Sequence, residues 1–149
     1  MEESKKKDQS GALEFATFYL GNALFGIKIL EIQEINKHFE MTRVPDAPDE
    51  LKGILNLRGR IVTVFDLAKK LGINSASENK NNRNIIVDSN GEHIGLLVDS
   101  MGDVVIAKNE ELEPAPANIG GVQGKCFQGV IKTEKHLIGI LDIDEVLKE

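Results

Sequence analysis

The sequence contains no tryptophan, one tyrosine and one cysteine among its 149 residues. So few aromatic side chains argue against a protein that stacks nucleic-acid bases on an exposed platform. The charge balance argues the same way, because 24 acidic residues outweigh 18 lysines and arginines and the net charge of −6 repels phosphate. A single cysteine, Cys126, excludes an intramolecular disulfide and a cysteine metal cluster, and it favours a reducing compartment.

The sequence also lacks a long hydrophobic run. None approaches the roughly 20 apolar residues of a membrane-spanning helix, and residues 1–12 contain no apolar core of a secretory signal. We therefore expect a cytoplasmic protein in which residues 1–12 form a disordered tail. With 41% hydrophobic and 28% charged residues, the 149-residue chain has the composition of one ordinary globular domain or two small ones.

Motifs for catalysis and for metal or cofactor binding are missing as well. The three histidines, His38, His93 and His136, are too far apart for a zinc-spaced pair. The glycine-rich segment 119–126 resembles a phosphate-binding loop, but it lacks the first glycine and the final serine or threonine. We therefore predict no catalytic residue, no metal and no cofactor. Dispersed carboxylates that meet only in the fold would leave no such motif, so an enzyme of that kind stays as an alternative.

A repeated pattern is the most informative feature that the sequence does contain. Gly53 begins a run of two short apolar segments that ends at Asp66, and Gly129 begins a similar run that ends at Asp142. Both pairs are offset by 76 residues, and the apolar segments are rich in β-branched residues. The pattern predicts two copies of a strand–turn–strand hairpin, each followed by a short helix that the aspartate caps.

A weaker repeat supports a duplication of most of the chain. Gly26 begins an apolar run 27 residues before Gly53, and Gly95 begins one 34 residues before Gly129. Short strands punctuated by glycine, proline and asparagine favour small β-barrels over an alternating α/β sheet. We therefore predict a mainly β protein with two units, a first barrel at 13–73 and a second barrel with a C-terminal helix at 84–149, joined by a polar linker at 74–83. The terminal strands could exchange between the two units.

Local signals add detail to this outline. Asp66 is expected to cap a helix at residues 67–71, which the following glycine ends. Residues 39–44 are expected to form a strand, and residues 145–149 a short C-terminal helix. Asn90 and the glycine after it are a strong signal for a two-residue hairpin turn.

The two predicted hairpins differ most at their turns. The first turn reads Asn-Leu-Arg-Gly-Arg at 56–60, and the second reads Lys-Thr-Glu-Lys-His at 132–136. The second has the composition of a solvated turn, whereas the first places an apolar Leu57 and the arginine Arg58 beside a glycine. Arginine offers a planar, permanently charged fork that suits protein interfaces. The alternative is a basic turn that makes only weak local ion pairs.

Four segments carry a resemblance to the CheW family of chemotaxis coupling proteins. They are the runs 30–35 and 41–48, the segment 51–67 with its Asn-Leu-Arg-Gly turn, and the run 95–101. The resemblance extends from about Phe15 to Leu147. Thr63 departs from it, because family members commonly carry proline there, and an edge strand accepts either residue.

This resemblance implies a fold and a role. The fold would be two five-stranded SH3-like β-barrels packed on a shared apolar core, with short helices at the ends of the units. The role would be a non-enzymatic adaptor that couples methyl-accepting chemoreceptors to the histidine kinase CheA. Such an adaptor is cytoplasmic, is recruited to membrane-associated receptor arrays and supports their assembly. The partners would be the cytoplasmic receptor tip, a helical hairpin, and the kinase's regulatory domain, which has the same fold.

The resemblance also implies two sets of contact residues. A receptor helix would lie in an apolar groove between the barrels. The expected receptor-binding residues are Ile32, Glu34, Ile35, Leu57, Arg58, Ile85 and Ile86. The expected kinase-binding residues are Val98, Asp99 and Met101.

Three other functions remain as alternatives at this stage. A regulatory barrel of another signalling complex would have the same fold and different partners. An enzyme with dispersed acidic residues would have a deep pocket with strongly perturbed carboxylates. A nucleic-acid-binding protein would be retained on DNA with a steep dependence on salt.

Overall fold

The computed structural model describes residues 11–37, 39–74 and 78–148. Within these ranges the chain forms twelve β-strands, two short α-helices and three single 3-10 turns. The strands are Ala12–Leu20 (β1), Ala23–Lys28 (β2), Ile32–Asn36 (β3), Leu51–Leu57 (β4), Arg60–Asp66 (β5), Arg83–Ser89 (β6), Glu92–Val98 (β7), Ser100–Lys108 (β8), Asn118–Ile119 (β9), Val122–Gln123 (β10), Phe127–Lys132 (β11) and Leu137–Leu141 (β12). The helices are Leu67–Leu71 (α1) and Ile143–Leu147 (α2).

Ten of the strands form two five-stranded sheets with the same internal order. One sheet has the order β3-β6-β7-β5-β4, and the other has the order β8-β1-β2-β12-β11. In each sheet one pair is parallel, β5 with β7 and β12 with β2, and the remaining pairs are antiparallel. We call the first sheet the central barrel, since it uses residues 32–98, and the second the terminal barrel, since it joins both ends of the chain.

The two sheets do not coincide with the predicted units 13–73 and 84–149. The predicted linker 74–83, of which residues 75–77 lie outside the described ranges, separates β5 and β6, two strands of the same central sheet, and the β1–β2 hairpin belongs with the C-terminal hairpin. The parallel pairing explains this, because strands that run in the same direction need a long crossover connection between them. The chain instead passes between the barrels at Ile29–Glu31 and again at Asp99.

The duplication extends to single hydrogen bonds. Thr42 bridges to Ile54 through two bonds of 2.8 Å, and Glu113 bridges to Val130, 76 residues after Ile54, through two bonds of 2.8 Å. A bulge interrupts β4 just before Gly53 and β11 just before Gly129. A Cβ on Gly53 would lie 2.9 Å from the Thr42 carbonyl oxygen, and one on Gly129 would lie 2.7 Å from that of Glu113. Glycine stands at both positions because the bridging segment passes directly over it.

The apolar residues form three clusters that match this architecture. One cluster fills the central barrel with residues such as Leu55, Val62 and Val64. Another fills the terminal barrel around Phe15 and Ile138. The third and largest is the shared core, which joins side chains of both barrels: Phe18, Leu20, Phe25, Ile27, Ile85, Val87, Leu96, Val98 and residues of α1 and α2. The predicted class, two packed five-stranded β units with short helices, is confirmed.

Most local predictions are confirmed as well. The Asp66 carboxylate accepts a hydrogen bond from the Lys69 N–H at 3.2 Å, and Gly72 ends α1 with a φ of 78°. Asp142 caps α2 in the same way, so this helix begins two residues before the predicted 145–149.

The prediction of a strand at 39–44 was wrong. Only Thr42 of the segment 39–44 pairs with a strand, because the chain then enters the proline-containing stretch that follows it. Of the predicted tail, residues 1–10 lie outside the described ranges, and Ala12 already belongs to β1. None of the helices in the described residues is long and apolar enough to cross a membrane.

Candidate functional site

The β4–β5 turn has an unusual backbone. Leu57 pairs with Arg60, so Arg58 and Gly59 form a two-residue turn, with φ angles of 52° and 84°. The Gly59 N–H donates to the Asn56 side-chain oxygen at 2.9 Å, which holds the turn. Positive φ at both positions matches the twist of the hairpin. A positive φ costs about 1 kcal/mol for a residue with a side chain such as arginine. Glycine would therefore be more stable than arginine at position 58 of this turn.

The Arg58 guanidinium forms an ion pair with the Glu34 carboxylate on β3. Arg58 directly follows β4, and β3 and β4 are the two edges of the central sheet, so this pair connects the two edges. Glu34 also accepts a hydrogen bond from the Asn36 side chain at 2.8 Å. The Arg58 side chain remains 69% exposed, so the ion pair adds little to stability. Its guanidinium is therefore free to contact a partner as well.

The face of β3 that carries Ile32 and Ile35 lies at the boundary between the barrels. Ile32 pairs with Val87, and Ile35 pairs with Ile85, so these side chains share a face of the sheet. Ile85 is fully buried in the shared core, and Ile32 packs against that core in part. Ile35, in contrast, remains 41% exposed and stands at the edge of the inter-barrel boundary.

Glu34 pairs with Ile86, so its side chain lies on the opposite face of this edge strand from Ile35. We call Glu34, Ile35 and Arg58, which border the exposed edge of β3 from its two faces, the β3 surface.

Four of the predicted contact residues are not at the surface. Leu57 and Ile86 lie inside the central barrel, at 8% and 1% exposure. Ile85 and Val98 lie in the shared core with no exposure. They support the surfaces from the interior of the protein and are not exposed for direct contact with a partner. The sequence could not separate them from Ile35, because β6 is buried on both faces and its residues form one continuous apolar run.

The remaining two predicted kinase contacts lie where the chain enters the terminal barrel. The Asp99 carboxylate accepts a hydrogen bond from the Gly21 N–H at 2.7 Å, and the Asp99 N–H donates to the Tyr19 carbonyl at 3.1 Å. These bonds join the connection between the barrels to the β1–β2 turn. Met101 packs in part against the shared core. Both residues are partly accessible.

Sequence reasoning missed two exposed apolar residues on the same edge strand. Val104 and Ile106 on β8 are 57% and 65% exposed, and their spacing of two places them on one face. The duplication offered a signal, because Val104 pairs with Ala16 as Ile35 pairs with Ile85. We call Met101, Val104 and Ile106 the β8 surface. The two surfaces therefore lie on equivalent edge strands of the two barrels.

Burial raises the pKa of two groups that belong to neither surface. Burial raises the pKa of Glu31, with Asp142 and Asp144 adding to the effect and Lys28 opposing it. The Glu31 Oε1 atom is buried, and no group in the described ranges hydrogen-bonds to it. Burial also raises the pKa of the Cys126 thiol. No group of three or more histidine, cysteine or acidic residues with metal-binding geometry occurs in the part of the chain described.

Comparison with known proteins adds an independent observation. The family model described as "CheW-like domain" matches residues 14–149. The chemotaxis protein CheW of Helicobacter pylori is 31% identical over 146 residues, which span 98% of this chain and 88% of that protein. The corresponding protein of Klebsiella aerogenes is 32% identical and covers 97% of this chain and 87% of its own length.

A solved structure agrees with the fold. The crystal structure of the scaffolding protein TtCheW from Thermoanaerobacter tengcongensis superposes with a TM-score of 0.86 and 31% sequence identity. The match covers 92% of this chain and 88% of that one. The sequence match and the backbone match therefore point to the same family.

Proposed function

The chain belongs to the CheW family of chemotaxis adaptors, and we propose that it couples methyl-accepting chemoreceptors to the histidine kinase CheA. In this proposal it acts without catalysis, in the cytoplasm, and is recruited to receptor arrays that it helps to assemble. The observation that carries the proposal is the pair of equivalent edge strands with different exposed groups. The β3 surface offers an ion pair on one face of its edge strand and an isoleucine on the other, whereas the β8 surface is apolar.

The β3 surface suits the receptor tip. A helical hairpin presents apolar side chains along one stripe with charged groups beside it, and such a helix lies well along a boundary between two packed units. Ile35 supplies an apolar contact at that boundary, and Arg58 and Glu34 supply charges of both signs across the edge of the same strand. Arginine at the edge of an apolar contact is a frequent contributor to interface affinity.

The β8 surface suits the kinase's regulatory domain. An edge strand with exposed branched side chains associates readily with another β unit. Val104 and Ile106 provide the apolar area, and Met101 extends it toward the connection between the barrels. A regulatory domain built from similar barrels would meet this edge with an edge of its own, in a contact between unlike surfaces.

The receptor contact is tested by reversing the charge of Arg58. Titration calorimetry of Arg58→Glu with a receptor-tip fragment should give roughly tenfold weaker binding, about 1.4 kcal/mol. Circular dichroism should be unchanged, because the side chain is mostly exposed. The matched control is Lys135→Glu, which makes the same charge change at the equivalent turn of the terminal barrel and should leave receptor binding intact. If Arg58→Glu binds the receptor-tip fragment as tightly as Lys135→Glu does, the assignment of the β3 surface is contradicted.

The kinase contact is tested at β8. The double variant Val104→Ser, Ile106→Ser should weaken binding of the kinase regulatory domain by at least about tenfold, since two exposed apolar side chains are lost. Ile61→Ser, which alters a 61% exposed isoleucine on β5, is the control and should bind normally. If the double variant binds the kinase domain as the native chain does, the β8 assignment fails.

The alternative function, a regulatory barrel of another signalling complex, predicts a different outcome in a single experiment. Immobilised protein would then retain neither receptor-tip fragments nor the kinase regulatory domain. Retention of both partners supports the adaptor. The sequence resemblance favours the adaptor, because the Asn-Leu-Arg-Gly turn and its context cover the β3 surface.

A further inference from the structure

A cavity of about 290 Å³ opens on the central barrel, away from the turn that carries Arg58. Met41 and Leu97 form its apolar wall, and both belong to or pack against the cluster inside the barrel. Phe39 stands at the cavity with 41% of its surface exposed. This volume is at the lower end of what small-ligand sites offer and holds about one amino-acid residue.

One side of the cavity carries a cation that is already paired with a replaceable carboxylate. The Lys52 ammonium lies 2.6 Å from the Glu78 carboxylate, and this pairing lowers the pKa of Glu78. The Glu78 side chain is 73% exposed, whereas that of Lys52 is 34% exposed. The exposed carboxylate therefore occupies a position that the carboxylate of a bound ligand would take.

An unused hydrogen-bond acceptor lies beside the cavity. Asn82 lines the cavity and is only 8% exposed, and its Oδ1 atom is itself screened from solvent and finds no donor among the residues described. A buried carbonyl oxygen without a partner lowers stability and gains from a ligand that brings an N–H or O–H group. An ionised fatty acid has no such donor, whereas a peptide has one at its main-chain nitrogen.

The terminal barrel shows that the fold does not require these features. Leu112 holds the position equivalent to Met41 and packs onto the interior cluster of its own barrel. The residue equivalent to Lys52, 76 positions further on, is the uncharged Gln128, and the residue equivalent to Phe39 is Glu110. The cation and the exposed aromatic ring are therefore specific to the central barrel.

We propose that this cavity binds the apolar C-terminal residue of a partner peptide. The side chain lies against Met41 and Leu97, and the terminal carboxylate replaces Glu78 on Lys52. The Asn82 side chain rotates toward the cavity so that its Oδ1 atom accepts a hydrogen bond from the main-chain N–H. A peptide's C-terminal residue combines an apolar side chain, an N–H donor and a carboxylate within one residue's volume. The site is separate from the β3 and β8 surfaces, so it provides a third contact.

Three small probes separate the requirements, with the methyl signals of Met41 and Leu97 as the readout in nuclear magnetic resonance titrations. N-acetyl-L-phenylalanine carries all three groups and should bind with a Kd of roughly 1 mM. N-acetyl-L-phenylalanine amide lacks the carboxylate, and 3-phenylpropanoate lacks the N–H. Each should bind at least about fivefold more weakly.

Variants test the ion-pair exchange. Lys52→Gln, which introduces the residue found at the equivalent position of the terminal barrel, should weaken binding of N-acetyl-L-phenylalanine about tenfold. Glu78→Gln removes the competing carboxylate and should strengthen it about threefold. Lys132→Gln on the other hairpin is the control and should have no effect.

Two outcomes would overturn the proposal. Absence of shifts at Met41 and Leu97 up to 20-fold above the expected Kd, roughly 20 mM, would mean that the cavity binds no such residue. Equal affinity for 3-phenylpropanoate would identify a site for any apolar carboxylate and exclude the peptide. Neither result bears on the receptor and kinase contacts, because those use other residues.

Discussion

The β4–β5 and β11–β12 hairpins have equivalent strands but different turns. Both contain a bulge before a glycine, a bridge to a preceding segment and an aspartate cap. The central turn has positive φ at Arg58 and Gly59. The terminal turn has no positive φ at Glu134 or Lys135, and the Thr133 hydroxyl accepts from the His136 N–H at 3.0 Å.

This difference separates what the fold needs from what the surface does. The backbone arrangement is repeated because each barrel needs it to pack, so its residues are constrained in both copies. The turns face solvent, and the terminal turn shows that a relaxed backbone suffices there. The strained turn with its arginine is therefore the copy that carries a binding role in this account.

The largest expected effect comes from the core that the barrels share. Phe25 stacks on Phe18 and Phe127, with ring centroids 6.1 and 6.0 Å apart. Phe25→Ala should lower the free energy of unfolding by about 4 kcal/mol, because it leaves a large cavity in that cluster. Both barrels should unfold in one transition in urea. Two separate transitions would mean that the barrels are independent and that the comparison concerns two domains.

A smaller effect is expected where the bridging segments pass over glycine. Gly53→Ala and Gly129→Ala each place a Cβ within 3 Å of a backbone oxygen. Each should cost about 2 kcal/mol through displacement of the bridging segment. Urea unfolding of both variants tests the equivalence of the copies, which predicts similar losses. A loss of stability in only one of the two variants would show that the bridging segment constrains the two glycines differently.

The helix caps are expected to contribute less again. Asp66→Ala and Asp142→Ala each remove a carboxylate that accepts an N–H three residues later. Each should lower stability by about 1 kcal/mol, measured by thermal or chemical unfolding. Asp144→Ala, beside the second cap and exposed, is the control and should change stability by less than about 0.5 kcal/mol. A control as damaging as the two cap variants would remove the capping explanation.

The smallest effect concerns the two connections between the barrels. Burial raises the pKa of Glu31, so the folded state holds this proton more tightly than the unfolded state. Stability therefore falls as pH rises from the ordinary carboxyl pKa through the raised value. Glu31→Gln should be more stable than the native chain at pH 7 and show no such gain at pH 4.

The control for this variant lies in the other connection. Asp99→Asn alters a carboxylate that already accepts a hydrogen bond from the Gly21 N–H, so it should gain no stability at pH 7. Urea unfolding at the two pH values measures both variants. A pH-independent difference between Glu31→Gln and the native chain would contradict the assigned pKa shift.

The sequence was sufficient for the hairpins and their caps, because these depend on local signals. Gly53, Asp66 and their later copies mark the bulge and the cap directly. It was insufficient for the assignment of strands to barrels, since the pairing of β2 with β12 joins residues more than 100 positions apart in the chain. No local pattern encodes which of two similar hairpins a strand will join.

The contact residues show the same limit. Ile35 and Ile85 have the same chemistry and pair with each other, yet one lies at the surface and the other in the shared core. Whether such a side chain is buried depends on which part of the other barrel packs against it. That long-range contact cannot be predicted from the local sequence. The exposure of Arg58 could be predicted because glycine and arginine together indicate a turn at the surface, and its role in binding stays a prediction.

We propose that the equivalent edges of the two barrels contact different partners. Amide-shift mapping of the labelled protein tests this, first with a receptor-tip fragment and then with the kinase regulatory domain. We expect shifts around Glu34, Ile35 and Arg58 with the first, shifts around Met101, Val104 and Ile106 with the second, and simultaneous binding of both. Overlapping shifts, or displacement of one partner by the other, would contradict it.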